Sequence, residues 1–193
     1  MKKIGITGGI GSGKSVVSCL FRVMGVPVYD ADSASKSILI SNIEVKSRLS
    51  RLLGGDIYDA EGNLLRKKMA SMIFSDEKLM AGVNEIVHPA VISDFECWSR
   101  QQKCKIVACE SALIYESKMN AYIDYVLMVF APLEMRVDRA CRRDSSSRDS
   151  IYERIKNQMS DEEKMRLSDF VIYNDGVRAI LPQVWTLFSS LEE

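Results

Sequence analysis

Five short runs rich in apolar and β-branched residues stand out along the chain: Lys3–Thr7, Val26–Tyr29, Lys105–Cys109, Tyr125–Phe130 and Phe170–Tyr173. Continuous apolar runs of this length read as strands buried on both faces, the habit of a parallel sheet. Helical patterns lie between and after them. Lys14–Met24 is helical, stopped by Gly25 and, two residues on, by Pro27. Pro132 suits the first turn of a later helix, and Ser160-Asp161-Glu162-Glu163 is a capping box that opens another. The alternation predicts an α/β fold of three layers with a parallel five-stranded sheet.

One stretch breaks the alternation. From Asn42 to about Gln102 there is no strand pattern. Asn42–Leu53 places apolar residues at Ile43, Val45, Leu49, Leu52 and Leu53 and stops at Gly54-Gly55. Leu64–Phe74, Asp76–Val87 and Ala90–Arg100 also read as helices. The pattern predicts a helical insertion over 42–102, of about 60 residues and longer than an ordinary crossover, within a core made of 1–41 and 103–193. Such an insertion often builds a substrate pocket at the carboxyl ends of the strands.

Composition narrows the function. The chain has 193 residues, with 26 Lys and Arg against 26 Asp and Glu, so its formal net charge is zero. A protein that lived on nucleic acid backbone would carry a basic excess, so no nucleic acid partner is expected. No apolar stretch approaches a membrane span, and the start of the chain does not read as a signal peptide. The five cysteines, Cys19, Cys97, Cys104, Cys109 and Cys141, form no C-x-x-C. Free thiols are expected rather than a disulfide framework or a zinc site, in a cytoplasmic protein.

The strongest local signal is Gly8-Gly9-Ile10-Gly11-Ser12-Gly13-Lys14-Ser15, which fits G-x-x-x-x-G-K-[ST] in full. It follows a strand and opens a helix, as the chemistry requires. Glycines let the backbone aim its N–H groups at phosphate oxygens, and the helix N-terminus adds positive potential. Lys14 would reach the β- and γ-phosphates, and the Ser15 hydroxyl would ligate Mg²⁺. The dinucleotide fingerprint is excluded, because Lys14 stands where its third glycine is needed. There is no Asn-Lys-x-Asp loop of a GTPase, and the third strand ends in the single acid Glu110 rather than in the Asp-Glu of a motor ATPase. A small-metabolite kinase fits better.

The second strand runs into Tyr29-Asp30-Ala31-Asp32. One of these carboxylates can accept the proton of a hydroxyl under attack, while the other ligates Mg²⁺ through water or caps the next helix. The competing reading makes either Asp a simple N-cap for a helix over Ser33–Ile40. Later come Arg136, Arg139, Arg142, Arg143, Arg148 and Arg154. Arg139 and Arg143 share a helical face just before the polar loop Asp144–Asp149, the layout of a mobile lid over about 139–159. The competing reading is a solvated amphipathic helix. His88 is the only histidine. Because it precedes Pro89, it reads as an extended residue at a helix junction, with no metal role.

These residues resemble the bacterial dephospho-coenzyme A kinases. Thr7 to Ser15 is similar to that family's opening, as are Asp30-Ala31-Asp32, Leu65-Arg66 with Ile73-Phe74, and His88-Pro89. Arg143-Asp144, Arg154-Ile155, Gln158 and Ser168-Asp169-Phe170-Val171-Ile172-Tyr173-Asn174 look like its C-terminal half. The resemblance implies a nucleoside-monophosphate-kinase-like sheet with a helical coenzyme A domain and a lid. It implies phosphorylation of the ribose 3′-hydroxyl of dephospho-coenzyme A by ATP with Mg²⁺. Asp32 would be the catalytic base and a substrate contact. Lys14, Arg139 and Arg143 would clamp phosphate, and Gly9, Gly11, Ser12, Gly13, Lys14, Ser15 and Val16, with Asn174 near the adenine, would bind ATP. Arg66 and His88 would face the substrate. Two departures stand out: Glu110 and Ala112 replace an Asp and a Pro after the third strand, which predicts a looser loop and alters how Glu110 would hold Mg²⁺ through water; Val16 replaces the usual Thr. The other readings are a different small-metabolite or nucleoside monophosphate kinase, or a nucleotide-dependent regulatory protein without turnover.

Overall fold

A computed structural model of the chain describes residues 1–74 and 76–192, without the side chains of Phe74 and Glu192. Its strands are β1 (Lys2–Thr7), β2 (Val28–Asp30), β3 (Ile106–Glu110), β4 (Tyr125–Phe130) and β5 (Phe170–Tyr173). Its helices are α1 (Lys14–Val23), α2 (Ala31–Ser41), α3 (Ile43–Leu53), α4 (Arg66–Phe74), α5 (Glu77–Arg100), α6 (Leu133–Asp144), α7 (Arg148–Lys156), α8 (Asp161–Leu167) and α9 (Ile180–Glu192). The described residues fall into two compact units, Met1–Asp30 with Gln101–Glu193, and Ala31–Arg100.

The first unit is the sheet with its flanking helices. All strand pairs are parallel, in the order β2-β3-β1-β4-β5. The five-stranded parallel α/β architecture expected from the pattern is the one observed. The order puts β1 at the centre, so the glycine-rich loop leaves the middle of the sheet at the carboxyl ends of the strands, where such folds bind ligands. β2 is shorter than its apolar run. Val26 N–H bonds Phe21 O at 2.9 Å, and Pro27, which has no N–H, joins the sheet only through its carbonyl, which accepts from Ala108 N at 2.9 Å. One face of the sheet packs Ile4, Ile6, Leu127, Val129 and Ile172 with Val17 and Phe21 of α1 and Val184, Leu187 and Leu191 of α9. Phe21 meets Phe188 edge to face, with ring centroids 6.5 Å apart. A separate apolar cluster joins Ile10 of the glycine-rich loop to Val137 and Ala140 of α6 and Ile151 of α7.

The polar loop expected over Asp144–Asp149 is confined to residues 145–147. Asp144 still belongs to α6, Ser145 ends that helix in the left-handed region at φ 50°, and the Ser147 hydroxyl caps α7 by accepting from Ser150 N. Serine and aspartate serve here as caps, the positions where they compete best with water for backbone groups.

The second unit is helical. Asn42 caps α3, its side chain accepting from Val45 N. The only extended pairing in this unit, among the described residues, is an isolated bridge between Tyr58 and Leu64. The helix junction expected at His88-Pro89 does not exist, because α5 runs from Glu77 to Arg100 with Pro89 inside it. A proline there removes one hydrogen bond and costs about 3 kcal/mol. Pro89 and Glu85, whose carbonyl loses its partner, are both exposed, so water can take that carbonyl. The buried stripe Val83, Ile86 and Val87 continues past the proline as Val91, Ile92 and Phe95, and that burial outweighs the break. His88 is therefore helical, not extended.

Phe21 is fully buried between α1 and the sheet. Phe21→Ala should lower stability by about 3–5 kcal/mol. Urea unfolding should show a lower midpoint with little change in slope.

Candidate active site

The glycine-rich loop is built against its neighbours so closely that β-carbons do not fit. Gly11 has φ +77°, and a β-carbon on it would lie 2.1 Å from Arg136 O. Gly13 ends the loop in the left-handed region at φ 97° and opens α1; a β-carbon there would lie 2.2 Å from Asn174 Nδ2. Any other residue at either position would have to displace backbone or a bonded amide.

Asn174, directly after β5, ties this loop to the late arginines. Its Nδ2 donates to Ser12 O at 2.8 Å. Its own carbonyl accepts from Arg139 Nη1 at 3.2 Å, and its Oδ1 from Arg139 Nη2 at 3.4 Å. Lys14 Nζ curls back to donate to Gly8 O at 2.9 Å and Gly9 O at 3.3 Å. Ser12, Asn174 and Arg139 are thus one hydrogen-bonded group, drawn from the glycine-rich loop, the end of β5 and α6, while Lys14 bonds within the loop.

The loop also holds polar atoms that the protein itself does not use. Thr7 Oγ1 and Ser12 Oγ are buried without a hydrogen-bond partner. Ser15 and Val16 lie exposed in the first turn of α1. At the neighbouring strand ends, Glu110 is the register partner of Ile6 on one side and of Asp30 on the other, so the two carboxyl residues sit side by side across β3 and β2. Among the described residues no cluster of three or more His, Cys, Asp or Glu forms a metal cage. Mg²⁺ does not need one, since it is commonly held by one or two oxygen ligands together with water and phosphate. The hydroxyls and carboxylates at these strand ends suit such a hard cation.

A sequence model for dephospho-CoA kinase matches residues 2–179. The chain belongs to the dephospho-CoA kinase family. It is a phosphotransferase, with ATP the co-substrate a kinase of this family implies. A dephospho-CoA kinase of Bacteroides fragilis is 45% identical over 190 residues, covering 98% of this chain and 92% of that protein. A crystal structure of a Thermus thermophilus protein has a TM-score of 0.82 at 30% identity, covering 99% of this chain and 96% of the other. A dephospho-CoA kinase from Campylobacter jejuni shares the fold, with a TM-score of 0.65 at 22% identity and coverage of 100% and 97%.

The other residues singled out from the sequence lie on α6 and in the helical unit. Arg143, one turn beyond Arg139, is 60% exposed and bonds Asp144 through its Nε at 2.7 Å. Asp144 also takes Arg154 Nη1 at 2.7 Å. In the helical unit, Asp32 is exposed in the first turn of α2, which begins at Ala31, so Asp32 lies inside the helix rather than before it as an N-cap. Arg66 is the exposed first residue of α4, and His88 is half-buried in α5.

Tertiary bonds reach the loop after β3, where Ala112 stands. Lys164, fully buried on α8, donates to Ala112 O at 2.6 Å and pairs with Glu116 Oε1 at 2.9 Å. The same Glu116 oxygen accepts from Met159 N at 2.7 Å. Sequence reasoning missed Lys164, because a lysine in a polar helix carries no mark of burial; it also missed the part played by Arg136 and Asp161, which pair although they lie far apart in the chain.

Arg143 and then Arg154 hold the Asp144 carboxyl at about 2, below its ordinary 3.8. A carboxylate depressed in the folded state contributes stability that is present above its unfolded pKa and lost as pH falls through the folded value. The contribution of Asp144 should therefore fade between about 3.8 and about 2. Thermal unfolding of Asp144→Asn should be less acid-sensitive than that of the parent chain across that window.

Proposed function

We propose that the chain phosphorylates the ribose 3′-hydroxyl of dephospho-CoA, with the glycine-rich loop as the ATP phosphate site. The observation that carries this reading is the loop itself, crowded by Arg136 and Asn174 and bonded through Asn174 to Arg139. Gly9, Gly11, Ser12, Gly13, Lys14, Ser15 and Val16 bind the phosphates, and Asn174 closes the nucleotide side. Lys14 and Arg139 stabilise charge that spreads over the transferring phosphoryl oxygens. Arg143 joins them from the end of α6. The Ser15 hydroxyl would hold Mg²⁺ directly and Glu110 would hold it through water, and the ion would supply positive charge to offset that of the phosphates.

Asp32 orients the 3′-hydroxyl and accepts its proton as the oxygen attacks. Asp32 is exposed in the first turn of α2, whereas Asp30 sits in the sheet beside Glu110. Arg66 and His88 bind dephospho-CoA from the helical unit. None of the five cysteines is in a disulfide, which suits a cytoplasmic enzyme. Among the described residues no helix is long and apolar enough to cross a membrane.

Residues 139–159 form the lid. Asp144 bonds Arg143 at the end of α6 and Arg154 in α7, so both arginines move with one carboxylate. Ile151 anchors α7 to Ile10 of the phosphate loop, which links lid position to loop occupancy.

Asp32→Asn keeps the shape but cannot take the proton. Its turnover should fall by about 10²–10⁴-fold, with ATP affinity nearly unchanged. Steady-state assay with dephospho-CoA and calorimetric titration with ATP check this pair of outcomes, and loss of ATP affinity with normal turnover would remove Asp32 from the role of base. Amide exchange across 139–159 should slow when ATP and dephospho-CoA bind together. Equal exchange with and without both ligands would reject the lid.

A further inference from the structure

Arg136 is a charged residue in a place where charge is costly. Its side chain is 3% exposed. Nη1 donates to both oxygens of the Asp161 carboxylate, itself 17% exposed, while Nε is buried with no partner. Arginine and aspartate taken out of water lose hydration that their mutual attraction only partly returns, so such a pair is weak support for a fold taken by itself.

Its position supplies another reason. A β-carbon on Gly9 would lie 1.9 Å from Arg136 Nη1, and one on Gly11 would lie 2.1 Å from Arg136 O. The phosphate loop therefore rests on both the guanidinium and the backbone of this one residue. A second support comes from the same stretch of chain, because Ile10 N–H donates to Gln158 Oε1 at 3.0 Å, three residues before Asp161. The planar guanidinium is held flat by a carboxylate that α8 fixes in place, where Ser160 and Glu163 form a capping box around Asp161. Lys164, one turn on, anchors α8 to the loop after β3.

We propose that Arg136, locked by Asp161, is a positioning residue that sets the conformation of the phosphate loop for ATP. It acts through Gly9 and Gly11 and touches no reacting atom. The inference rests on the reading of Gly9–Ser15 as the ATP phosphate site. A flexible side chain in its place would leave the loop free to relax, and the cost of re-ordering it would fall on ATP binding rather than on dephospho-CoA binding.

The test compares Arg136→Met, Arg136→Lys and the double variant Arg136→Met with Asp161→Leu. Exchange of a buried ion pair for apolar residues of similar size often leaves a fold as stable as before, so the double variant separates packing from positioning. The expected result is an ATP KM raised at least about tenfold in Arg136→Met and in the double variant, a KM for dephospho-CoA within about twofold of the parent, and partial recovery in Arg136→Lys. Should Arg136→Met alone fail to fold, the double variant and Arg136→Lys carry the same comparison. A stable double variant with the parent ATP KM would overturn the proposal, as would an equal rise in both KM values. Lys14→Ala, measured alongside, must weaken ATP binding. Normal ATP affinity in Lys14→Ala would instead overturn the assignment of the phosphate loop.

Discussion

The architecture turns on a loop that has no room for side chains on its inner turns. At Gly9, Gly11 and Gly13 the space of a β-carbon is already taken by Arg136 or Asn174. The missing β-carbons let α6 and the residue after β5 lie against the same few backbone atoms. Those contacts come from chain segments more than a hundred residues from the loop, and only a parallel sheet with β1 at its centre brings both to the carboxyl end of that strand. The loop is thereby shaped from outside, by a guanidinium, a carboxamide and a glutamine oxygen, as well as from within by its own glycines.

Charge buried behind the site follows from the same constraint. α8 is seven residues long, yet it holds two buried or nearly buried ion pairs, Arg136 with Asp161 and Lys164 with Glu116. Neither pair is explained by gross stability, since desolvation offsets much of the attraction. Both join segments whose relative placement matters for the strand ends. One reaches under the phosphate loop, and the other reaches the loop that follows Glu110. A short helix with few apolar residues to bury is pinned by directional bonds, which specify position more sharply than apolar contact does.

Much of this was legible in the chain. The five strands read correctly because a strand buried on both faces must be apolar throughout, and no distant residue is needed to see it. The loop was legible because its glycines, lysine and serine are local requirements of phosphate binding. The misreadings share a cause. At their local preference, Pro89 predicts a break and the serine run a longer loop. Burial on both sides of Pro89 kept α5 whole, and the serine run turned out to supply the caps of its neighbours. In each case tertiary packing or the adjoining helix set the outcome.

The sequence by itself determined the class of sheet, the phosphate loop with Lys14 and Ser15, and the family whose members share its motifs, because each depends on residues close together in the chain. Only the tertiary structure decided that Asn174 bridges Ser12 to Arg139, that Lys164 is buried on Ala112 and Glu116, and that Arg136 lies beneath Gly9 and Gly11. Those roles depend on which polar groups lose water together on folding. Loss of water is a property of distance in space, and residue order along a chain does not record it.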